Sequence, residues 1–327
     1  MALPSFTIGE LQKAKFLFAD KISYLDGRKL EEADWAHVYC KARGLEALGW
    51  SNLNADVTVP GLSLEHKMMR CSESEAIKNH CGTSMMHPAL TRRVSLPDIE
   101  DPDKAMRFVI ASYQKVLDER YRKASEISGA KPVELRSGWL LYDSSLTEFL
   151  YFEERSQNLN PKKHRAVWSE RVKKGEGGRR GNRNLWIYDQ NGQKVWSVTG
   201  GSSGTKIQPY FKVPAANDEH LCYFRVQGEP LSAETVRVWV TESTANNLRQ
   251  ILGELDTRRV TDAILNVSGS DETLSATEEF EEIRELEIGQ NAYSALKEKF
   301  LGVSDEHCFQ LLCKRLAEEK AARSNSF

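Results

Sequence analysis

The chain has 327 residues, of which 40% are hydrophobic and 28% are charged, a composition typical of a soluble globular protein. This length allows a sizeable core in one large domain or two modest ones. The formal net charge of −2 excludes nucleic-acid binding driven by the overall charge, so any such binding has to come from a local patch.

Cysteine usage and the absence of apolar segments indicate the compartment. The six cysteines form no CxxC pair, which in a chain of this length is typical of free thiols in a reducing compartment. Charges enter early, at Glu10 and Lys13, so the N-terminus lacks a secretory apolar stretch. No apolar run is long enough to span a membrane. We therefore expect a cytoplasmic protein with no membrane partner.

The first fifty residues predict two helices. Apolar residues recur at roughly helical spacing from about Glu10, and Gly27 interrupts the pattern. A second helix is predicted from about Glu31 to Leu48, where Gly49 would end it.

Two short strands follow, joined by a tight turn at Pro60–Gly61. Strand alternation places Asp56, Glu65 and Lys67 on one face of this hairpin. The opposite face is apolar and carries Val57, Val59, Leu62, Leu64 and Met68. His66 also falls on the apolar face, where we expect a core histidine with its hydrogen bonds satisfied.

The rest of the chain predicts a mixture of helices and hairpins. A long helix is predicted from Asp103 to Arg122, and hairpins turn at Asp143–Ser145 and at Asn191–Gly192. Further strands are predicted at Leu221–Val226 and Val236–Val240. After about residue 243 the pattern is mostly helical. From residue 270 onward the chain contains thirteen acidic residues and seven Lys and Arg.

These elements predict a mixed α/β fold with a central β-sheet flanked by helices. The predicted organisation is a core over residues 1–265 and an acidic, helical C-terminal appendage over residues 266–327.

The polar face of the early hairpin is a candidate site for phosphodiester hydrolysis. Magnesium prefers oxygen ligands, usually one or two carboxylates with water and phosphate, and Asp56 and Glu65 would supply them. A nearby lysine, here Lys67, can orient or deprotonate the attacking water and stabilise the charge on the phosphate. Glu46, at the end of the preceding predicted helix, could approach the same metal from the side.

The spacing of Asp56, eight residues, then Glu65-His66-Lys67 resembles the signature of the PD-(D/E)xK nuclease superfamily. The order of helix, strand with aspartate, turn and strand with ExK is similar to the MutH-like nickases and to some type II restriction endonucleases. The resemblance implies a restriction-endonuclease-like core in which Asp56 and Glu65 ligate magnesium and Lys67 orients or deprotonates the attacking water. Glu46 matches a helix glutamate that some members use.

The resemblance covers residues 40–70 strictly and has one departure. Pro60 follows the first strand rather than preceding the aspartate, a position that varies in the superfamily. ExK alone is a weak signal, since Glu318-x-Lys320 also matches it in a predicted exposed helix. The alternative interpretation of the hairpin is an ordinary exposed polar face.

A basic segment over residues 161–183 holds nine Lys and Arg against two Glu. Phosphate contacts are predicted here, with glycines allowing close approach, and the alternative is a solvated loop. The candidate DNA-binding residues are Lys162, Lys163, Arg165, Arg171, Lys173, Lys174, Arg179, Arg180 and Arg183. The tryptophans at positions 139, 168, 186 and 196 are expected in the core or an interface rather than in base stacking.

The sequence therefore predicts a site-specific, magnesium-dependent endonuclease that cuts double-stranded DNA, similar to type II restriction enzymes. A homodimer is expected, because it would supply one cut per strand and match a two-fold symmetric site. Two alternatives stay open. One is a repair nickase, a modification-dependent enzyme or an RNA-directed nuclease of the same superfamily. The other is a nucleic-acid-binding protein without catalysis.

Overall fold

The computed structural model describes residues 2–23, 25, 29–46, 55–72, 75–87, 94–129, 131–169, 184–200, 205–267, 283–300 and 303–324. Within these ranges the chain forms seven α-helices, one short 3-10 helix and thirteen strands in three sheets. The predicted mixed α/β class is confirmed.

The helices are α1 (Ile8–Ser23), α2 (Glu32–Arg43), α3 (Pro102–Ser128), α4 (Glu242–Leu252), α5 (Thr257–Asn266), α6 (Gln290–Lys299) and α7 (Asp305–Ser324), with a 3-10 turn at Ile77–His80. The strands are β1 (Val57–Val59), β2 (Leu62–Arg70), β3 (Ser84–Met86), β4 (Glu134–Tyr142), β5 (Glu148–Arg155), β6 (Arg165–Trp168), β7 (Asn184–Tyr188), β8 (Lys194–Thr199), β9 (Lys206–Lys212), β10 (Cys222–Arg225), β11 (Glu229–Pro230), β12 (Thr235–Thr241) and β13 (Ile283–Gly289).

The first sheet has the order β1-β2-β4-β5-β10 and carries the early hairpin at one edge. Strands β2 and β4 are parallel, while the other neighbours are antiparallel. A parallel pair needs a long crossover connection, which here includes β3 and α3. Helices α1 and α2 cover one face of the sheet, and their aromatic side chains Phe18, Trp35 and Tyr39 are fully buried against it.

The second sheet has the order β3-β9-β8-β7-β6, and every neighbouring pair is antiparallel. One face packs on α3 through Leu185, Ile187 and Val198. The predicted turn at Asn191–Gly192 is confirmed, and Gly192 has a φ of 76°, the left-handed conformation that such hairpin turns require.

The four tryptophans differ in burial. Trp139 and Trp196 are buried, as expected. Trp168 is partly buried against the α3 side of the second sheet. Trp186 alternates with the buried Leu185 and Ile187, so its side chain projects from the opposite, partly exposed face of the sheet.

The third sheet, β11-β12-β13, packs with α4 to α7 around a core of its own. The predicted boundary at residues 265 and 266 falls inside this unit. Strand β13 pairs with β12 from Ile283 to Gly289, and α5 packs against both β13 and α6. The sequence did not predict β13 because exposed charged residues separate its buried residues, which are Ile283, Leu286 and Ile288.

The second helix begins where it was predicted and ends earlier. A capping box between Glu31 and Asp34 starts α2, and the helix ends at Arg43. Gly44 adopts a φ of 65° and donates its N–H to the carbonyls of the last turn. The predicted end at Leu48 is therefore wrong.

Candidate active site

The early hairpin forms with the predicted turn and register. Val57 pairs with Leu64 and Val59 with Leu62, across a turn in which Gly61 has a φ of 82°. Beyond Leu64, no described strand pairs with the free edge of β2. Asp56 lies just before β1, and its Oδ2 accepts a hydrogen bond of 2.6 Å from the N–H of His66. The carboxylate of Asp56 thus accepts the hydrogen bond that a neighbouring strand would otherwise accept from His66, and it is fixed beside β2.

Glu65 and Lys67 lie on one face of β2, and both side chains are largely buried. The Nζ atom of Lys67 is 2.9 Å from Oε1 of Glu65 and 3.5 Å from Oε2 of Glu32. On the other side, a terminal guanidinium nitrogen of Arg120 is 3.6 Å from Oε2 of Glu65. The structure therefore brings Asp56, Glu65 and Lys67 together and adds Glu32 and Arg120. We call these five residues the charge cluster.

The opposite face of β2 anchors the cluster in the core. His66 is fully buried beside the rings of Trp35, Tyr39 and Tyr151, with centroid distances between 5.1 and 6.4 Å. The expectation of satisfied hydrogen bonds is wrong, because neither ring nitrogen has a partner among the described residues. Burial lowers the pKa of His66 to about 3, so the ring is neutral and acts as an apolar filler.

Gly138 on β4 makes room for this packing. It lies directly opposite His66 in the parallel pair. A Cβ at this position would lie 2.6 Å from the hydroxyl of Tyr151 and 3.1 Å from Nδ1 of His66. The Tyr151 hydroxyl is itself held by a hydrogen bond of 3.0 Å to Glu153. The backbone of β2 is therefore seated on a tightly filled core.

The pKa values within the cluster diverge. Burial, and then repulsion from Glu65, raise the pKa of Asp56 to about 6. Burial alone would also raise the pKa of Glu65, but Lys67 and Arg120 outweigh it and lower that pKa. Burial alone would lower the pKa of Lys67, but the carboxylates of Glu65 and Glu32 outweigh it and raise the pKa. Lys67 is therefore an ammonium at neutral pH, able to donate hydrogen bonds but not to accept a proton from water.

The expectation that Glu46 lies at the end of a helix is wrong. It was placed at the end of a helix reaching Leu48, but α2 ends at Arg43 and Glu46 is an exposed residue three positions beyond. The helix glutamate of the cluster is Glu32, in the first turn of α2, where the helix dipole favours a negative charge.

Arg120 was missed, although the sequence holds a signal for it. The buried stripe of α3 runs through Tyr113, Val116 and Leu117 to Ala124. Arg120 occupies the position on that stripe where the next apolar residue would fall, and it points at Glu65. A charge on the apolar side of a long helix indicates a buried partner.

Magnesium fits the donor set of the cluster. Among the described residues, no group of three or more His, Cys, Asp or Glu side chains is arranged to hold a metal ion. Magnesium needs fewer protein ligands, since one or two carboxylates suffice when water and phosphate complete its shell. The cluster holds three carboxylates and two cations, and burial together with repulsion from Glu65 raises the pKa of Asp56. A divalent cation between Asp56 and Glu65 would relieve that repulsion.

The described part of the basic segment lies away from the cluster. Lys162 and Lys163 are exposed in the turn before β6, and Arg165 lies on β6 with its guanidinium 5.5 Å from the ring centroid of Tyr188. The N–H of Ala166 donates to Asp103 at the start of α3. Since Arg120 follows seventeen residues later on that helix, β6 starts roughly 25 Å from the cluster. The other six predicted contacts, Arg171, Lys173, Lys174, Arg179, Arg180 and Arg183, lie outside the described residues.

Comparisons with known proteins found no matching family model, no matching curated protein and no matching solved structure. Among the described residues, no helix has the length and apolarity needed to cross a membrane. All six cysteines are free thiols.

Proposed function

We propose that the protein is a magnesium-dependent endonuclease that cuts double-stranded DNA at specific sites. The observation that carries the proposal is the convergence of Asp56, Glu65 and Lys67 at the edge of one hairpin. Asp56 is fixed there by the N–H of His66, and Lys67 is fixed by its 2.9 Å contact with Glu65. These are the residue types that phosphodiester hydrolysis requires, held on a strand with a packed core beneath it.

The roles follow from the charges. Asp56 and Glu65 would hold a magnesium ion, which when bound would activate water and neutralise charge on the phosphate. Lys67 donates hydrogen bonds to the attacking water or to a phosphate oxygen, because its raised pKa keeps it protonated. Glu32 holds the ammonium of Lys67 in place. Arg120 orients Glu65 and would donate hydrogen bonds to a phosphate oxygen beside that carboxylate.

Duplex DNA is proposed as the substrate because of the basic segment. Lys162, Lys163 and Arg165 lie roughly 25 Å from the cluster, a distance of about seven base pairs along a duplex. One duplex could then place the phosphate at the cut in the charge cluster and a phosphate about seven base pairs away beside Lys162, Lys163 and Arg165. A homodimer, with one charge cluster for each strand, is part of the proposal.

A second candidate, a nucleic-acid-binding protein without catalysis, is favoured by one observation. Both oxygens of Glu65 already contact cations, Lys67 and Arg120. The cluster can therefore stand as an internal ion network that joins α2, β2 and α3.

Digestion of supercoiled plasmid separates the two candidates. We expect the wild type to cut with Mg²⁺ and not with EDTA, and Asp56→Asn and Glu65→Gln to lose cleavage by at least about 100-fold while keeping DNA binding. Glu318→Gln is the matched control, since Glu318 belongs to the chance ExK on α7 and is exposed. Wild-type rates in Asp56→Asn or Glu65→Gln would refute the nuclease proposal, and no cleavage by any protein would favour the second candidate.

The same digestion distinguishes the related nucleases. Linear plasmid as the product indicates double-strand cutting, whereas open circles that persist indicate a nickase. Methylated and unmodified plasmid, together with an RNA substrate, test the modification-dependent and RNA-directed alternatives.

A further inference from the structure

The second sheet has a basic face that projects away from α3. Four cationic side chains lie on it, namely Arg165 on β6, Lys194 on β8, and Lys206 and Lys212 on β9. Strand register places them on the side opposite the buried Ile187, Val198 and Ile207. We call this side of the sheet the outer face.

Among the described residues, the cations of the outer face have no acidic partners. None of the five strands of this sheet contains Asp or Glu. Within the described part of the chain, none of the four cations forms an ion pair. An exposed positive surface without internal compensation is suited to an anionic partner.

Three aromatic rings lie between these cations. The ammonium of Lys194 is 3.6 Å from the ring centroid of Trp186, and 5.9 and 5.7 Å from those of Tyr188 and Tyr210. All three rings are partly exposed. Because β7 and β9 are separated only by β8, the rings lie across the middle of the sheet rather than at its rim.

We propose that the outer face binds single-stranded nucleic acid. Phosphates would pair with Arg165, Lys194, Lys206 and Lys212, and unpaired bases would stack on Trp186, Tyr188 and Tyr210. A duplex fits this surface poorly, because its bases are stacked on one another and offer no free ring faces. The five strands span about 19 Å, room for on the order of four nucleotides. This binding does not depend on the proposed cleavage.

Fluorescence anisotropy in EDTA tests the proposal with the full chain. The probes are a labelled twenty-nucleotide oligo(dT), the matching oligo(U), and the twenty-base-pair duplex of oligo(dT) with oligo(dA). Trp186→Ala should weaken binding to the single strand by between about 5-fold and 100-fold and change duplex binding by less than about twofold. Trp186→Phe should retain most of the single-strand affinity, because a phenyl ring still stacks.

Matched variants control for lost fold and lost charge. Tyr121→Ala removes an exposed aromatic residue from α3, and Lys13→Ala removes an exposed lysine from α1. Both should bind as the wild type does. Lys212→Ala, at an exposed position, should reduce the slope of log affinity against log salt by about 0.7 for the single strand. It provides an independent test if Trp186→Ala does not fold.

The outcomes separate cleanly. Binding of either oligo(dT) or oligo(U) that depends on Trp186 and Lys212 supports the proposal, and the stronger of the two identifies DNA or RNA. The proposal is overturned if neither single strand binds, if Trp186→Ala and Tyr121→Ala behave alike, or if Trp186→Ala weakens duplex binding as much as single-strand binding.

Discussion

The charge cluster and the outer face of the second sheet differ in whether their cations are buried and paired with carboxylates. In the cluster, Lys67 and Arg120 are largely buried and each contacts a carboxylate. On the outer face, Lys194 and Lys212 have no acidic partner among the described residues and lie next to aromatic rings or solvent. A surplus of carboxylates over cations suits a small divalent cation, whereas cations at the surface without acidic partners suit a polyanion.

Replacing Lys67 should reduce the rate of DNA cleavage more than any other change described below. If it did not, the charge cluster would not differ in function from the outer face. Lys67→Met removes the only cation within 3.5 Å of both Glu65 and Glu32 among the described residues. We expect single-turnover DNA cleavage to fall by about 100-fold or more, with duplex binding within about threefold of the wild type. Lys67→Arg should restore part of the rate.

Because Lys67 stays protonated, the pH–rate profile of the wild type should show no step from deprotonation of Lys67 near neutral pH. A Lys67→Met enzyme that cuts at the wild-type rate would mean that the cluster is only structural.

The packing beneath the cluster should also be sensitive. Gly138→Ala would place a methyl group 2.6 Å from the Tyr151 hydroxyl, so we expect the free energy of unfolding to fall by about 1–3 kcal/mol. The control is Gly9→Ala, at the start of α1, where nothing lies within 4 Å of the added carbon. Urea denaturation of both variants measures the difference. Equal stability in the two would show that the core under β2 is looser than the structure indicates.

The raised pKa of Asp56 has a consequence for stability. In the folded protein its pKa is about 6, against 3.8 in the unfolded chain, so the folded state retains a proton between about pH 4 and pH 6 that the unfolded state has lost. Ionised Asp56 therefore costs stability, and the cost grows as pH rises through this window. Asp56→Asn cannot ionise, and at pH 8 it should be more stable than the wild type by about 3 kcal/mol, with a smaller difference at pH 4.

Magnesium sharpens this prediction. If Asp56 holds the ion, Mg²⁺ should raise the melting temperature of the wild type at pH 8 and leave that of Asp56→Asn nearly unchanged. If the stability difference between the wild type and Asp56→Asn is the same at pH 4 and pH 8, the pKa of Asp56 is not raised in the folded protein.

The smallest effect is expected on the outer face. Lys194→Gln removes cation–π contacts to partly exposed rings, so the free energy of unfolding should change by no more than about 1 kcal/mol. Thermal denaturation would measure it. A loss of several kcal/mol would indicate that Lys194 is part of the packed structure and not a surface available to a ligand.

Local sequence patterns predicted much of the fold. Alternation of apolar and polar residues around Pro60–Gly61 predicted the hairpin of β1 and β2, and the turn residues Asn191–Gly192 predicted the second hairpin. In each case the signal lies within ten or so residues, and the structure confirms it. The convergence of Asp56, Glu65 and Lys67 is likewise local, because it follows from strand alternation across one tight turn.

The remaining errors involve contacts between distant residues. Arg120 meets Glu65 only because α3 packs across β1, and Glu32 joins the cluster because α2 places its first turn beside β2. Strand β13 was missed because its exposed acids obscure the buried residues between them, and because its partner, β12, lies more than forty residues earlier in the chain. The sequence of β7 does not say which face of its sheet is covered, so it did not place Trp186 on the partly exposed face.

The most direct test of the charge cluster is digestion of a large unmodified phage DNA by the wild type and by Glu65→Gln, side by side, with Mg²⁺ and with EDTA. We predict discrete fragments from the wild type with Mg²⁺, and intact DNA in the other three reactions. The fragment ends would also give the recognition sequence. Intact DNA in all four reactions, or the same fragments from Glu65→Gln, would contradict the assignment of Asp56, Glu65 and Lys67 as a magnesium-dependent DNA-cleaving site.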